Sequence, residues 1–464
     1  MDTRGNSPSS RDIAHFLHPF TNLSTHLQQG PHIVTGGRGI YVTDETGKEY
    51  IEGLAGLWCV SFGFGEQELV KAAIDQMRKL PYYHVFAGKS TNPAIELAEI
   101  LKSIAPVPFS KVFFANSGSE ANDSMVKLVW YYNNALGRPN KKKIIGRIRG
   151  YHGVTVAASS LTGLPYAQTD FDVPLERMKH ADCPHYYRHA QPGESEEAFA
   201  SRMAANLEAL ILREGPETVA AFIAEPVMGA GGVIVPPTGY FPKIQAVLAK
   251  YDVLMVADEV ICGFGRTGNM WGCQTYDIKP DILTCAKALS SAYLPISAVM
   301  VSEPIFQGLV KESEKLGIFG HGFTYSAHPV CAAVALRAQQ LMLERDMVGH
   351  VRRVSPRFQQ HLLGFASHPL VGEARGVGLI GGIELSADKA KKTPFDPKLR
   401  LGQQLQALAQ EEGLIIRAMP GDILGFCPPL IITEPEIDEL FDRFGRALNR
   451  FADQLARAAR KAAE

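Results

Sequence analysis

Between about residue 110 and residue 305 the chain alternates two textures. Val112–Ala115, Ile144–Ile148, Ala220–Ala224, Val253–Ala257, Ile282–Cys285 and Ile296–Val301 are short, nearly continuous apolar runs and read as strands. Continuous rather than alternating apolarity predicts a sheet covered by helices on both faces. Between the runs lie helical patterns: Met125, Leu128, Val129 and Tyr132 recur at i, i+3, i+4 and i+7, and Gly239–Lys250 forms another. The final third changes character. His328–Glu344 and His350–Ala366 read as helices, Val377–Glu384 and Leu414–Ala418 as strands. A last helix starts after Thr433-Glu434-Pro435-Glu436, with proline suited to a first turn. The pattern therefore predicts a large α/β lobe and a smaller α+β lobe, the latter joined by the N-terminal segment.

Composition narrows the function classes. The chain has 464 residues, 46% hydrophobic and 20% charged, which excludes a largely disordered chain. Lys plus Arg total 47 against 48 Asp plus Glu, a net charge of -1, so the basic excess of a phosphate-neutralising nucleic-acid binder is missing. The one dense basic run, Lys141-Lys142-Lys143, reads as a solvated loop. No apolar run approaches the ~18 residues of a membrane span. The polar stretch Met1–Ser10 lacks the apolar centre of a secretory signal and reads as a disordered lead-in. The 7 cysteines are scattered without a C-x-x-C pair, which predicts a reducing cytoplasm and neither a disulfide framework nor a zinc site. Cys183-Pro184-His185 with His189 reads as a surface loop bearing ordinary histidines, and no metal is expected.

Gly263-Phe264-Gly265-Arg266-Thr267-Gly268 matches the dinucleotide fingerprint G-x-G-x-x-G. Asn269-Met270-Trp271-Gly272 follows it instead of a helix, so the expected role is a glycine-rich pocket wall. Three other places carry chemistry. Asn116 to Asp123, Asn-Ser-Gly-Ser-Glu-Ala-Asn-Asp, sits between a strand and a helix, where free amides and the helix dipole favour a phosphate; a plain N-cap explains it equally well. Asp258 ends a buried strand, where open α/β sheets bind ligands and where a carboxylate must be paired or hydrogen-bonded. Lys287 ends another apolar strand 29 residues later, where desolvation makes a lysine nucleophilic. Together these are the parts that pyridoxal 5'-phosphate (PLP) needs: a lysine for its aldehyde, a carboxylate for its ring nitrogen and a cradle for its phosphate.

At this point the chain resembles a class III aminotransferase, the fold type I group, and within it the ω-transaminase or amine–pyruvate subgroup. The resemblance rests on Gly56–Val60, Asn116–Asp123, Tyr151-His152-Gly153, Ala224-Glu225-Pro226, Gly229–Val233, Asp258–Gly268, His321–Tyr325 and Gly413–Arg417, which cover nearly the whole chain. It implies a large domain with a mostly parallel seven-stranded sheet between helices, residues 61–335. A smaller α+β domain would come from residues 336–464, with residues 1–60 contributing to it.

The resemblance also implies roles. Lys287 bonds the cofactor and moves the proton; Asp258 pairs with the pyridinium nitrogen. Tyr151 and Val260 flank the ring, and Ser117, Gly118 and Ser119 hold the phosphate. Glu225 supports the cofactor side, and His152 sits beside it in a structural role. Thr324 reaches the phosphate of a neighbouring subunit, so a homodimer or dimer of dimers with shared sites is implied. Trp58, Phe20 and Phe86, with Tyr151, line the substrate pocket, and Arg417 clamps a substrate carboxylate. Ala87, Ala292, Ser297 and Ala327 depart from the group's usual residues, and none of them falls on a catalytic group. The implied reaction is ping-pong transfer from a primary amine or ω-amino acid to a keto acid, pyruvate above all, of the (S)-selective amine–pyruvate type. A PLP-dependent aminomutase or decarboxylase, a 2-oxoglutarate-using relative, and a silent binding protein are the competing readings.

Overall fold

The computed structural model describes residues 5–463. A seven-stranded sheet runs in the order Lys111–Ala115, Ser297–Val301, Ile282–Cys285, Leu254–Asp258, Val219–Ala224, Lys143–Arg147, Met178–Ala181. Ser297–Val301 is antiparallel to both neighbours, and every other pair is parallel. Burial on two faces explains the continuous apolar runs. Ile144, Ala221, Ile223, Val256 and Ile282 face one core with Met125, Val126 and Val129 of helix Gly118–Ala135. Ile145, Phe222, Ala224, Met255, Ala257 and Leu283 face the other. The strand that the apolar pattern missed, Met178–Ala181, is an edge strand whose central Lys179 and His180 are only half-buried.

Two predicted strands are each divided. Val377–Glu384 is the hairpin Val371–Val377 and Ile380–Leu385, turned at Gly378 with φ +58°. Leu414–Ala418 splits at Ile416. Leu414–Ile415 runs parallel to Glu49–Glu52 and completes an N-terminal sheet with Val34–Arg38 and Tyr41–Asp44. Arg417–Met419 joins a second sheet, pairing with Ile423–Phe426. The N-terminal segment and the C-terminal third are thus hydrogen-bonded into one sheet. Helices Tyr240–Lys250, Pro329–Glu344, Met347–Gly364 and Glu434–Ala463 lie close to their predicted positions.

Several local expectations are corrected. Residues 1–4 lie outside the described residues, but Pro8–His15 is a helix capped by the Ser7 hydroxyl, not a disordered lead-in. The three lysines do not form a free loop: Lys141 is buried, Lys142 and Lys143 are half-buried, and each is tied to a carbonyl. Lys141 Nζ donates to Tyr251 O at 3.2 Å, Lys142 Nζ to Trp130 O at 2.8 Å and Lys143 Nζ to Glu214 O at 2.7 Å. Lys141 and Lys143 meet carbonyls at the C-terminal ends of helices, where a cation is stabilised. His185 is buried, with Nε2 2.8 Å from Glu373 Oε2, inside an ionic network that includes Arg375 and Glu384, so it belongs to no surface loop.

The glycine-rich Gly263–Gly268 run is a joint between the two halves of the chain rather than a pocket wall. Buried Arg266 donates to Leu379 O at 2.9 Å and Pro428 O at 2.6 Å, and Leu379 N donates back to Arg266 O at 3.0 Å. A Cβ on Gly378 would stand 2.3 Å from Arg266 O, so only glycine permits this approach. Arg266→Met should therefore orphan two buried carbonyls, at about 1–3 kcal/mol each. A lowered melting temperature is the expected result, and an unchanged one would remove Arg266 from this role.

Candidate active site

The parallel strands place the chemistry at one edge of the sheet. Asp258 ends its strand, Glu225 directly follows Val219–Ala224, Tyr151 follows Lys143–Arg147 by a short loop, and Lys287 comes two residues after Cys285. This is the carboxyl edge, where open α/β sheets bind ligands. A cavity of about 700 Å³ opens there. It gathers Phe20, Trp58, Ser117, Gly118, Ser119, Tyr151, His152, Glu225, Asp258, Val260, Lys287 and Arg417.

Asp258 is held by three donors. Oδ2 accepts from His152 Nδ1 at 2.8 Å and from Asn122 Nδ2 at 2.9 Å; Oδ1 accepts from Val260 N at 3.1 Å. Asn122 also donates to His152 O at 2.7 Å and accepts from Thr284 Oγ1 at 2.9 Å. His152 is buried and acts on the site through Asp258. The sequence alone does not single out Asn122 as a site residue. Its place in the Asn116–Asp123 motif is visible there, but only the helix's buried face aims it at the carboxylate.

Lys287 lies half-buried in the cavity at φ +50°, a left-handed conformation strained for a lysine. Desolvation lowers its pKa, against the opposing pull of Cys59, Asp258 and Glu225. Glu225 is itself buried, and burial raises its carboxyl. Its two oxygens accept from Tyr151 N at 3.0 Å and Gly229 N at 2.9 Å, which ties one cavity wall to another. Burial, with Tyr166 beside it, pushes the Tyr151 phenol up to about 12.

The Asn116–Asp123 turn satisfies both of its sequence readings. The Ser117 hydroxyl caps the helix by accepting from Glu120 N at 3.1 Å. Gly118 and Ser119, its first two residues, still present amides to the cavity. A Cβ on Gly118 would stand 3.2 Å from Val260 Cγ1, so a larger residue there would push on Val260. Ser297 touches this cradle after all, its hydroxyl donating to Ser117 O at 2.7 Å.

The substrate side is apolar. Trp58 is 2% exposed, with φ +65°, and its ring occupies the space that a Cβ on Gly425 would take, at 3.0 Å. Phe20 meets Tyr151 edge-on, with ring centroids 6.5 Å apart. Ala230, which also lines the cavity, precedes two residues held by arginines. Arg149 Nε donates to Gly231 O at 2.8 Å and Arg375 Nη2 to Gly232 O at 2.6 Å. Arg417 is half-buried, lines the cavity and forms no ion pair among the described residues. Two expected residues lie apart from the cavity. Thr324 and Phe86 are exposed on the surface, close to each other through Gly322 and Tyr82.

The donor set fits PLP: amides for a phosphate, a carboxylate for a ring nitrogen, residues flanking a planar ring and a desolvated amine. This is the site of a PLP-dependent transferase of fold type I. Comparison with known proteins agrees. The sequence profile of the family Aminotransferase class-III matches residues 24–448. A protein of Oryza sativa subsp. indica named probable gamma-aminobutyrate transaminase 3, mitochondrial, is 52% identical over 441 residues, covering 95% of this chain and 86% of that protein. The ω-transaminase of Pseudomonas jessenii, solved in complex with PMP, is 54% identical and superposes with a TM-score of 0.96 over 97% of this chain and 99% of its own. A structure described as a transaminase with L-alanine is 56% identical, with a TM-score of 0.90 over 91% of this chain and 100% of its own. The chain belongs to the class III aminotransferases, which use PLP.

Two outcomes are expected from this geometry. Asn122→Ala removes a hydrogen bond to a carboxylate, about 1.5–3 kcal/mol, so PLP affinity should fall roughly tenfold to a hundredfold on equilibrium dialysis. Retention equal to the unmutated enzyme would show that Asn122 does not position Asp258. The lowered pKa of Lys287 means that its amine loses its proton at lower pH than a free lysine. The rate at which apoenzyme bonds PLP should rise with pH through a midpoint below 10.5, whereas a midpoint at or above that value contradicts the desolvation argument.

Proposed function

We propose that the protein is an ω-transaminase that passes the amino group of a primary amine or ω-amino acid to pyruvate. The observation that carries this reading is the charge inventory of the cavity. Among the described lining residues Lys287 and Arg417 are the only lysine and arginine. Lys287 is committed to the cofactor, so a single guanidinium remains for a carboxylate. Pyruvate has one carboxylate; 2-oxoglutarate has two and needs a second cation. The similar transaminase solved with L-alanine supports the same acceptor, since alanine is aminated pyruvate. The relatives named gamma-aminobutyrate transaminases support ω-amino acids among the donors, whose distal carboxylate would take the same arginine in turn.

PLP supplies the electron sink and carries the amino group between the two half-reactions. The chain's own residues do the rest. Asp258, fixed by three donors, holds the ring nitrogen in place. Lys287, desolvated and neutral more readily than a free lysine, takes the proton from the substrate carbon and returns it. Buried Trp58 excludes water, and with Phe20 it seats the apolar part of an amine. Arg417 binds the carboxylate when one is present.

The active unit in this reading is a homodimer with shared sites. Phe86 and Thr324 are exposed here, beside the exposed aromatic Tyr82 and Tyr325, and a second copy would bring them to its neighbour's cavity. A reducing cytoplasm suits seven cysteines that are all unpaired.

Lys287→Ala should abolish turnover and leave the fold intact by circular dichroism; near-normal turnover would end the assignment. Single-turnover kinetics separate the acceptors. Arg417→Ala should slow the pyruvate half-reaction far more than the half-reaction of a carboxylate-free amine, and equal losses would remove Arg417 as the carboxylate clamp. Faster discharge of the aminated enzyme by 2-oxoglutarate than by pyruvate would overturn the choice of acceptor.

A further inference from the structure

Outside the cavity, one group of side chains has a composition that the transamination chemistry does not use. Asp12 lies in helix Pro8–His15, His26 in helix Leu23–Gln29, and His18 in the stretch between them. His18 Nε2 stands 2.8 Å and 3.0 Å from the two carboxylate oxygens of Asp12. His26 Nε2 stands 3.1 Å from Asp12 Oδ1. One ligand atom from each of the three lies within 4.8 Å of the others.

His26 supplies an independent pointer. Its side chain is 8% exposed, and its Nε2 is turned toward the carboxylate, yet that nitrogen makes no hydrogen bond among the described residues. Burying a polar nitrogen without a partner costs free energy. Asp12, for its part, has no lysine or arginine partner among the described residues; only the two imidazoles approach it.

We propose that Asp12, His18 and His26 bind one Zn²⁺ ion, with water in a fourth position. Two imidazole nitrogens and one carboxylate oxygen form a ligand set that suits this ion. Bonds of about 2.0–2.1 Å in a tetrahedral site set ligand atoms roughly 3.3 Å apart. The observed carboxylate–imidazole separations of 2.8 and 3.1 Å need a few tenths of an ångström of spreading, and the two imidazole nitrogens, within 4.8 Å of each other, settle to the same spacing as the ion enters. His18 gives up the proton it shares with Asp12 as the ion enters, and the partial exposure of both side chains, 22% and 19%, leaves a way in. The second His/carboxylate group of the molecule, His185 with Glu373 and Glu384, is different. Its two carboxylates already hold the guanidinium of Arg375, a cation in place.

The ion would act as a staple on the wall of the cavity. It joins the two helices and closes the stretch between them, which carries Pro19 and Phe20 to the cavity lining. That stretch packs poorly on its own: Phe16, Leu17 and Phe20 are 58%, 74% and 61% exposed. Fixing it fixes the position of Phe20 against Tyr151 and Tyr166.

The test is metal binding by the holoenzyme, treated with a chelator and then titrated with Zn²⁺ or Co²⁺. One ion per chain is expected, with a rise in melting temperature, slower proteolysis ahead of Val34 and a visible Co²⁺ spectrum of imidazole–carboxylate type. His26→Gln and Asp12→Asn should each lose the ion while keeping the absorbance of bound PLP, which shows that they fold. Chelated enzyme should show a raised KM for bulky amines with kcat little changed. No uptake by the unmutated protein, or equal uptake by both variants, overturns the proposal and leaves a metal-free His–Asp–His contact. The uptake and spectral readouts do not depend on which amine or keto acid the enzyme uses.

Discussion

The hydrogen-bonded knot around Asp258 is the contact on which the rest of the site depends. Asn122 bridges the carboxylate, the His152 carbonyl and the Thr284 hydroxyl, and so locks together a helix, a loop and two neighbouring strands. Asp258 and Thr284 are register partners in the sheet, and Lys287 follows Thr284 by a single short turn. The separation between the carboxylate and the amine is therefore set by the spacing of adjacent strands, about 4.7–4.9 Å, plus that turn. Strand register fixes it more rigidly than a loop would. The unfavourable backbone of Lys287, at φ +50°, is tolerated because strand and turn over-determine it.

How much of this is legible in the sequence varies with the kind of signal. Asp258 and Lys287 stand out because a charge that ends an apolar run is a physical anomaly. The six buried strands are legible for the same reason that they are buried. Asn122 gives no such signal, since a polar residue in a helix is ordinary until its face is known. The lysine run 141–143 misleads because local composition shows charge and not the carbonyls that receive it. The run Leu414–Ala418 misleads differently. Its apolar pattern marks strand but carries no record of the switch from one sheet to another at Ile416. Val377–Glu384 hides a turn because Gly378 stands between the apolar Val377 and Leu379, so that turn and strand read as one run.

The ionic groups divide by task. Those in the cavity are few, and each is either held by hydrogen bonds or left open toward a ligand. Those outside it, such as Arg375 with Glu373 and Glu384, or Arg149 on Gly231, are scaffolding. Breaking one partner of such a buried network strands the other charge, which is costly. The arginine pair on Gly231 and Gly232 thus lets a glycine-rich stretch stay rigid, although glycine alone would make it soft. A near-neutral total charge hides both arrangements, because each set balances itself.

The parallel pairing of Glu49–Glu52 with Leu414–Ile415 brings together segments that are made at opposite ends of synthesis. Until residues near 414 have left the ribosome, one edge of the N-terminal sheet stays open, and Arg417 is missing from the cavity. Such distant pairing closes late, after nearer contacts have formed. The residues of the cofactor cradle, together with the strand Ser297–Val301 that joins the cradle to the sheet, are all made before Arg417. Through most of synthesis the strand Glu49–Glu52 therefore has one unpaired edge, and an unpaired edge is a site for wrong partners.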